Sequence, residues 1–203
     1  MYNWLAYYGN GYVAQQWTQD QRKQNVDIIA GYFLDKGWTP NAIAAMLGNM
    51  QSESYINPGQ WQHGYAVEDP SPYDGFGLVQ WTPWTKLTDW GGYGVLQDYD
   101  KQLDRIQYEV DNGLQWQNRQ GYEESFYEFT QSYADVAYLT QCFFWCYEYG
   151  TWDDYRIPRA EYWYEYITGN PPPPPGPGPG PTPSSSNKMN IMFYLKSKQK
   201  RGY

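Results

Sequence analysis

A run of proline and glycine limits the fold of this chain more than any other feature, because Pro171 to Pro183 reads PPPPPGPGPGPTP. Proline fixes φ and has no N–H, so the run can form neither a helix nor a central strand. We expect an extended polyproline spacer that continues through Ser186. The sequence therefore predicts a folded domain over residues 1–170, a linker over 171–186 and a short tail over 187–203.

Charge is distributed unevenly on the two sides of that linker. The chain has 14 basic and 22 acidic residues and a formal net charge of −8. The tail holds 5 of the basic residues and none of the acidic ones, so it carries +5 and the domain carries −13. An acidic domain is poorly suited to binding duplex nucleic acid, because phosphates are bound mainly by Lys and Arg. The tail's apolar and basic residues indicate either a segment that touches an anionic surface, a membrane headgroup layer or a partner subunit, or a frayed terminus.

The composition narrows the class of protein further. No stretch reaches the roughly 18 apolar residues that a membrane span needs, and the N-terminus lacks the pattern of a secretory signal. Aromatic residues make up 20% of the chain, which excludes disorder throughout. Such a content fits a large core, and it equally fits a groove that binds a polar, flat-faced ligand such as a glycan.

The cysteines and the single histidine argue against two common kinds of catalytic site. Cys142 and Cys146 lie four residues apart in an apolar run, where a disulfide within a helix would be strained, so we expect two buried free thiols. A catalytic triad could use only His63. The chain has no HExxH motif, and we expect neither a metal nor another cofactor.

Hydrophobic spacing predicts a mostly helical α+β domain with a small β or loop region. Thr18 and Gln21 form a capping-box pair before a helix that Gly37 can close. Thr39 and Pro40 open a second helix that extends to about Ser54. Thr82 is expected to be the N-cap and Pro83 the first residue of a short helix over Trp84–Trp90. Further helices are expected at Asp98–Asn112, Glu123–Ser132, Asp135–Tyr149 and Pro158–Thr168.

Glu53 is the candidate catalytic residue, and it falls in the last turn of the second predicted helix. Helical spacing places it on the flank of the stripe that Ile43 and Met46 form. Partial desolvation and the negative end of the helix would both favour a protonated carboxyl, which a general acid requires. A solvated glutamate at a helix end is the ordinary alternative.

The segment GFGLVQWT, residues 75–82, is the candidate wall of a binding cleft. Gly75 and Gly77 permit positive φ or a close backbone approach, and Gln80 offers an amide to a sugar hydroxyl or N-acetyl group. Trp81 offers a face on which a sugar ring can stack. Three more aromatic residues lie between the helix and this segment, and packing in the core explains each of them as well: Trp61, Tyr65 and Tyr73.

These motifs resemble those of a known family. WTPNAIAAMLGNMQSESYINPGQW followed by GFGLVQWTPW is similar to the phage-tail lysozyme family, in particular to the muramidase domains of tail-knob peptidoglycan hydrolases of phi29-like phages. The likeness continues at DNGLQW and at YEYGTWDDYRIPRAEYWYEYITG, and covers roughly residues 18–169.

The resemblance implies a lysozyme-like fold and cleavage of the β-1,4 bond between N-acetylmuramic acid and N-acetylglucosamine. The family's catalytic glutamate maps onto Glu53, its loop glycines onto Gly75 and Gly77, and its groove amide and aromatic onto Gln80 and Trp81. Such enzymes act at the virion tail tip and open the host wall for DNA entry. In the relatives the linker leads to a metal-dependent peptidase domain, whereas here it leads to about seventeen residues without a zinc motif.

A second catalytic carboxylate is not defined by the sequence. Asp74, Glu68 and Asp69 are candidates, with Asp74 nearest the glycine loop, but each also fits an ordinary turn. Two other functions remain open: a lytic transglycosylase that uses the same glutamate, and a glycan-binding tail-tip plug without catalysis. The expected partners are peptidoglycan and other tail proteins, the latter through residues 187–203.

Overall fold

The computed structural model describes residues 1–62 and 71–170. The predicted linker and tail lie outside this range, so the domain limits stay a prediction. The described part is mostly helical, as expected, and none of its helices is long and apolar enough to cross a membrane. The helices are α1 (Gly11–Gln15), α2 (Gln19–Asp35), α3 (Pro40–Ser54), α4 (Thr85–Gly91), α5 (Asp100–Asn112), α6 (Phe126–Gln131), α7 (Val136–Phe143) and α8 (Arg156–Thr168).

Short segments complete the secondary structure. Strand β1 (Gly9–Asn10) pairs in parallel with β2 (Gln60–Trp61). A 3₁₀ turn covers Tyr93–Leu96, and a π-helical turn at Phe144–Glu148 extends α7. The small β content agrees with the predicted α+β class.

The predicted starts of α2 and α3 are confirmed. The Thr18 backbone N–H donates to Gln21 Oε1 at 2.8 Å, and the Gln21 N–H donates to Thr18 Oγ1 at 3.3 Å, as in a capping box. The N–H of Ala42 donates to Thr39 Oγ1 at 3.1 Å, with Pro40 as the first residue of α3. Both helices thus begin where the side chains can satisfy their first amides.

One predicted start is wrong. Helix α4 begins at Thr85 with Trp84 at its N-cap, and no side chain caps it. The hydroxyl of Thr82, expected to be the cap, donates to the carbonyl of Gln80 at 2.9 Å instead. This threonine therefore closes the loop before the helix and leaves the helix uncapped.

The chain divides into two compact units. Unit 1 comprises Met1–Ile29 and Met50–Leu114. Its core contains an aromatic group in which the Trp61 ring centroid lies 4.5 Å from that of Phe76 and 5.8 Å from that of Trp84. Leu103 and Ile106 of α5 are fully buried, as the apolar spacing of that helix predicts.

Unit 2 comprises Ala30–Asn49 and the described residues from Gln115 onward. Its core is a stack of rings in which Trp116 lies 4.7 Å from Phe126, and Phe143 lies 4.7 Å from Tyr147. Ile43 and Leu47 of α3 are fully buried in this unit. The buried aromatic residues of this unit therefore serve as core.

The two cysteines lie in unit 2 as buried free thiols, which confirms the expectation. The hydrogen bond with Cys146, together with burial, raises the pKa of the Cys142 thiol. This thiol is therefore protonated at neutral pH and is a poor nucleophile.

Candidate active site

Glu53 lies at the end of α3, one residue before the helix stops at Ser54. Its side chain is half-buried. The next two residues, Tyr55 and Ile56, have positive φ angles of 58° and 62°, so the chain turns sharply directly after the glutamate. The position between core and solvent is the one that helical spacing predicted.

The turn after Glu53 is fixed by the N-terminal segment. Asn57 accepts from the Tyr7 N–H at 3.0 Å and donates to the Tyr7 carbonyl at 2.8 Å, as a neighbouring strand would. Asn25 donates to the carbonyls of Leu5 and Ile56, each at 2.7 Å. Both asparagines are fully buried, so the first ten residues are fastened to the backbone that follows the catalytic candidate.

The glycine loop forms a tight hairpin beside that turn. Phe76 and Trp81 exchange backbone hydrogen bonds of 3.2 and 3.0 Å, and the Gly77 N–H donates to the Gln60 carbonyl at 2.9 Å. Gly77 has a φ of 86° and Gln80 a φ of 49°. The predicted need for glycine at position 77 thus has a conformational cause.

Both loop glycines also allow close approaches. A Cβ at Gly75 would lie 2.8 Å from Thr82 Oγ1, and a Cβ at Gly77 would lie 2.6 Å from Gln102 Oε1. Contacts this short are too close for a side chain. The glycines therefore shape the loop from within the protein.

Two side chains connect the loop to the end of α3 at one residue, Leu78. Ser54, next to Glu53, donates its hydroxyl proton to the Leu78 carbonyl at 2.8 Å. Gln102 of α5 accepts from the Leu78 N–H at 2.8 Å and donates to the Pro58 carbonyl at 2.7 Å. The loop and the glutamate-bearing helix end are therefore parts of one hydrogen-bonded arrangement.

Trp81 anchors the far side of the loop from inside the core. Its side chain is only 2% exposed, and its indole N–H donates to Glu109 Oε1 at 3.0 Å. The same carboxylate oxygen accepts from Arg105 Nε at 2.9 Å, so a fully buried glutamate is paired with a nearly buried arginine. A buried indole offers no face to a sugar ring, which corrects the expectation of a stacking platform at Trp81.

Gln80 is half-buried, and its amide is partly used within the loop. Its Nε2 group donates to the carbonyls of Gln60 at 3.0 Å and Gly77 at 2.9 Å. Both amide protons are thus committed to the backbone, and only the amide oxygen is left to accept a hydrogen bond from a ligand. If Gln80 binds a sugar, as the sequence predicts, it does so as a hydrogen-bond acceptor.

The other predicted site residues have different surroundings. Trp61 is 2% exposed and packs in the core of unit 1, so it too offers no stacking face. Tyr73 is 81% exposed and remains available to a ligand. Asp74 is 6% exposed, its backbone carbonyl accepts from the Trp84 N–H at 2.9 Å, and its catalytic role remains a prediction.

Four residues considered in the sequence lie outside the described range: His63, Tyr65, Glu68 and Asp69. Among the described residues, no three His, Cys, Asp or Glu side chains come together to hold a metal ion.

Sequence reasoning did not identify Gln102 or Glu109. A signal was present, because both polar residues fall on the face of α5 that carries the buried Leu103, Ile106 and Val110. A polar side chain within an apolar stripe must find a buried hydrogen-bond partner. In this chain the partners belong to the loop that carries the candidate cleft residues.

Comparison with known proteins identifies relatives of the chain. The model of the phage tail lysozyme family matches residues 24–167. Morphogenesis protein 1 of Bacillus phage B103 is 41% identical over 169 residues, which are 81% of this chain and 44% of that protein. The chain therefore spans less than half the length of that relative.

Proposed function

Because this chain belongs to the phage tail lysozyme family, we propose that it hydrolyses the β-1,4 bond between N-acetylmuramic acid and N-acetylglucosamine in peptidoglycan. Glu53 is the general acid of this reaction. The observation that carries the proposal is the half-buried position of Glu53 at the end of α3, beside a loop fastened to the same helix end. Its match to the family's catalytic glutamate supports the same assignment.

The reaction requires two proton transfers, one to the leaving oxygen and one from the attacking water. Glu53 donates a proton to the glycosidic oxygen as the C–O bond breaks, and positive charge develops on the muramic acid ring. Water then adds to the anomeric carbon, and its proton returns to a carboxylate. Asp74 is the second carboxyl in this proposal, in the supporting position. Tyr73 and the amide oxygen of Gln80 are the groups that would contact the glycan.

We place the activity in the virion, at the tail tip, where local opening of the host wall precedes DNA entry. The family description and the name of the relative, a phage morphogenesis protein, support a role with other tail proteins. Residues 187–203, with their charge of +5, are the proposed attachment to such a partner.

The test is Glu53→Gln, which keeps the size of the side chain and removes its acid function. We expect lysis of purified peptidoglycan to fall by about 100-fold or more, since general acid catalysis is typically worth 10² to 10⁴. The matched control is Glu161→Gln on an exposed position of α8, which should retain activity. Equal lysis by Glu53→Gln and the parent protein, with both folded, would rule out Glu53 as the acid.

Analysis of the products separates hydrolysis from the neighbouring reaction. Hydrolysis leaves reducing ends on muramic acid, whereas a transglycosylase leaves 1,6-anhydro ends. We expect mass spectrometry of digested muropeptides to show reducing ends. Anhydro ends would replace hydrolysis with transglycosylation while keeping Glu53 as the acid, and no product at all would favour the non-catalytic plug.

A further inference from the structure

We propose that Gln102 is a positioning residue of the candidate active site, which holds the glycine loop in register with the helix end that carries Glu53. The proposal rests on the proposed function, because the arrangement that it describes is the wall beside the proposed acid. It concerns a residue of α5 whose side chain is fully buried.

The first argument is the way in which one side chain bridges two backbone segments. Gln102 Oε1 accepts from the Leu78 N–H at 2.8 Å, and Gln102 Nε2 donates to the Pro58 carbonyl at 2.7 Å. Leu78 belongs to the glycine loop, and Pro58 belongs to the turn that follows Glu53. A single carboxamide thus fixes the separation of the two segments with an acceptor on one side and a donor on the other.

The second argument is that the loop is shaped to admit this side chain. Gly77 lies so close to Gln102 that a Cβ would be 2.6 Å from Oε1, and its φ of 86° is one that glycine adopts readily. The space that a side chain at position 77 would take is occupied by the carboxamide. The glycine and the glutamine are therefore complementary parts of one contact.

The third argument is that Ser54 holds the other polar group of Leu78. Its hydroxyl, next to Glu53 in the sequence, shares its proton between the Leu78 carbonyl at 2.8 Å and the Met50 carbonyl at 3.0 Å. Leu78 therefore has its N–H tied to α5 and its carbonyl tied to the end of α3. Displacement of the loop at Leu78 would shift the cleft wall relative to the proposed acid, and errors of about 1 Å in such geometry can cost 10²-fold in rate.

The decisive experiment uses two changes of the same residue. Gln102→Leu removes both hydrogen bonds, whereas Gln102→Glu keeps an acceptor for Leu78 and replaces the donor to Pro58 with a carboxyl. When that introduced carboxyl is protonated it can donate to Pro58, and when it is ionised it cannot. We expect the kcat of Gln102→Glu, divided by that of the parent protein at the same pH, to fall as the pH rises.

The ratio for Gln102→Leu should be low, reduced about 10- to 100-fold, and should not vary with pH. KM should change less than kcat in both variants, because neither bond is made to substrate. Asn41→Leu is the matched control: Asn41 is also buried, and it donates to the Ala134 carbonyl at 3.0 Å within unit 2. It loses a buried amide bond of the same kind and should keep the parent kcat.

A second measurement does not depend on activity. Hydrogen exchange at the Leu78 amide should become faster in Gln102→Leu, while exchange at Ile106 in α5 stays slow. Ser54→Ala, which releases Leu78 from the opposite side, provides a second variant should Gln102→Leu fold poorly, and it should also lower kcat.

The outcomes distinguish this proposal from the function on which it rests. A parent protein whose activity depends on Glu53, combined with an unchanged kcat in Gln102→Glu at every pH and in Ser54→Ala, would overturn the positioning role alone. Activity that survives Glu53→Gln would overturn the proposed function. Faster Leu78 exchange with unaltered kcat would show that the bond is structural and does not position the acid.

Discussion

Glu109 accepts hydrogen bonds from two different directions, although it lies fully buried in α5. One Oε1 atom receives both the Trp81 indole N–H and Arg105 Nε. A buried carboxylate without a partner destabilises the folded protein, so removal of one of its partners should lower the free energy of unfolding. The indole of Trp81 therefore serves to satisfy a charge as well as to fill the core.

Trp81→Phe tests this reading of the indole. We expect the free energy of unfolding to fall by about 1–3 kcal/mol, because a hydrogen bond to a buried charged group is lost. KM for glycan should change little, since the ring does not reach the surface. Chemical denaturation and steady-state kinetics on soluble peptidoglycan strands would measure the two effects.

Trp152→Phe is the matched control for that change. Its indole donates to Asp154 at 2.9 Å in an exposed setting, so its loss should cost well under 1 kcal/mol. A large rise in KM for Trp81→Phe without loss of stability would return Trp81 to the role of a sugar platform.

At the scale of elements, helix α3 was predicted to extend to about Ser54, and the structure ends it at that residue. Gly48, Asn49 and Met50 lie inside this helix. Gly48 is there because α8 packs closely against it: an added Cβ would lie 2.6 Å from the Arg156 carbonyl and 2.7 Å from Ala160 Cβ. Asn49 next to it accepts from Arg156 at 2.9 Å.

Gly48→Ala should therefore destabilise the protein. Alanine in place of glycine inside a helix usually gains about 1 kcal/mol, but here the overpacking against backbone should reverse the sign and cost about 1–3 kcal/mol. Thermal and denaturant unfolding would measure it. Gly94→Ala is the control, because a Cβ there meets nothing within 4 Å; stabilisation by both changes would contradict the close approach.

Local rules predicted the helices best where the side chains act on their own backbone. Thr18 and Thr39 cap α2 and α3 as expected, because each bond spans only three residues. Thr82 failed as a cap because its hydroxyl serves the preceding loop. Helix α6 is shorter than predicted and starts after Ser125, whose side chain accepts from the Glu128 N–H at 3.2 Å.

The candidate site was predictable in part for a similar reason. Glu53 was placed correctly at its helix end from spacing alone, and its catalytic role stays a prediction. Trp61 and Trp81 could not be placed, because an aromatic side chain near a candidate cleft can point outward or inward with the same local sequence. The direction of the side chain depends on its buried partner, which for Trp81 is Glu109, 28 residues away in the sequence.

At the scale of the whole molecule, neither unit is formed from one continuous piece of chain. Unit 2 needs Ala30–Asn49 together with residues from Gln115 onward. Its long-range bonds include Asn41 to Ala134 and Thr39 to Ser132. The sequence predicted one domain before the linker. It did not predict which segments of the chain make up each unit, because long-range contacts decide this and no local pattern encodes them.

A fragment of residues 1–114 tests that dependence. It contains all of unit 1, but the buried face at Ile43 and Leu47 lacks the part of unit 2 that covers it. We expect the fragment to lose the cooperative thermal transition of the full chain and to bind a hydrophobic dye, as measured by circular dichroism and fluorescence. A sharp transition with little dye binding would show that residues 30–49 need no later partner.

The long-range contacts of unit 2 also determine when this part of the chain can fold during synthesis on the ribosome. Asn49 has its amide acceptor bound to Arg156, a residue made 107 positions later. Chains generally fold as complete units while they emerge, so α3 cannot reach its final packing until most of α8 has left the exit tunnel. Glu53 lies at the C-terminal end of the same helix, so a nascent chain would bring that helix to its final packing only after Arg156 has been synthesised.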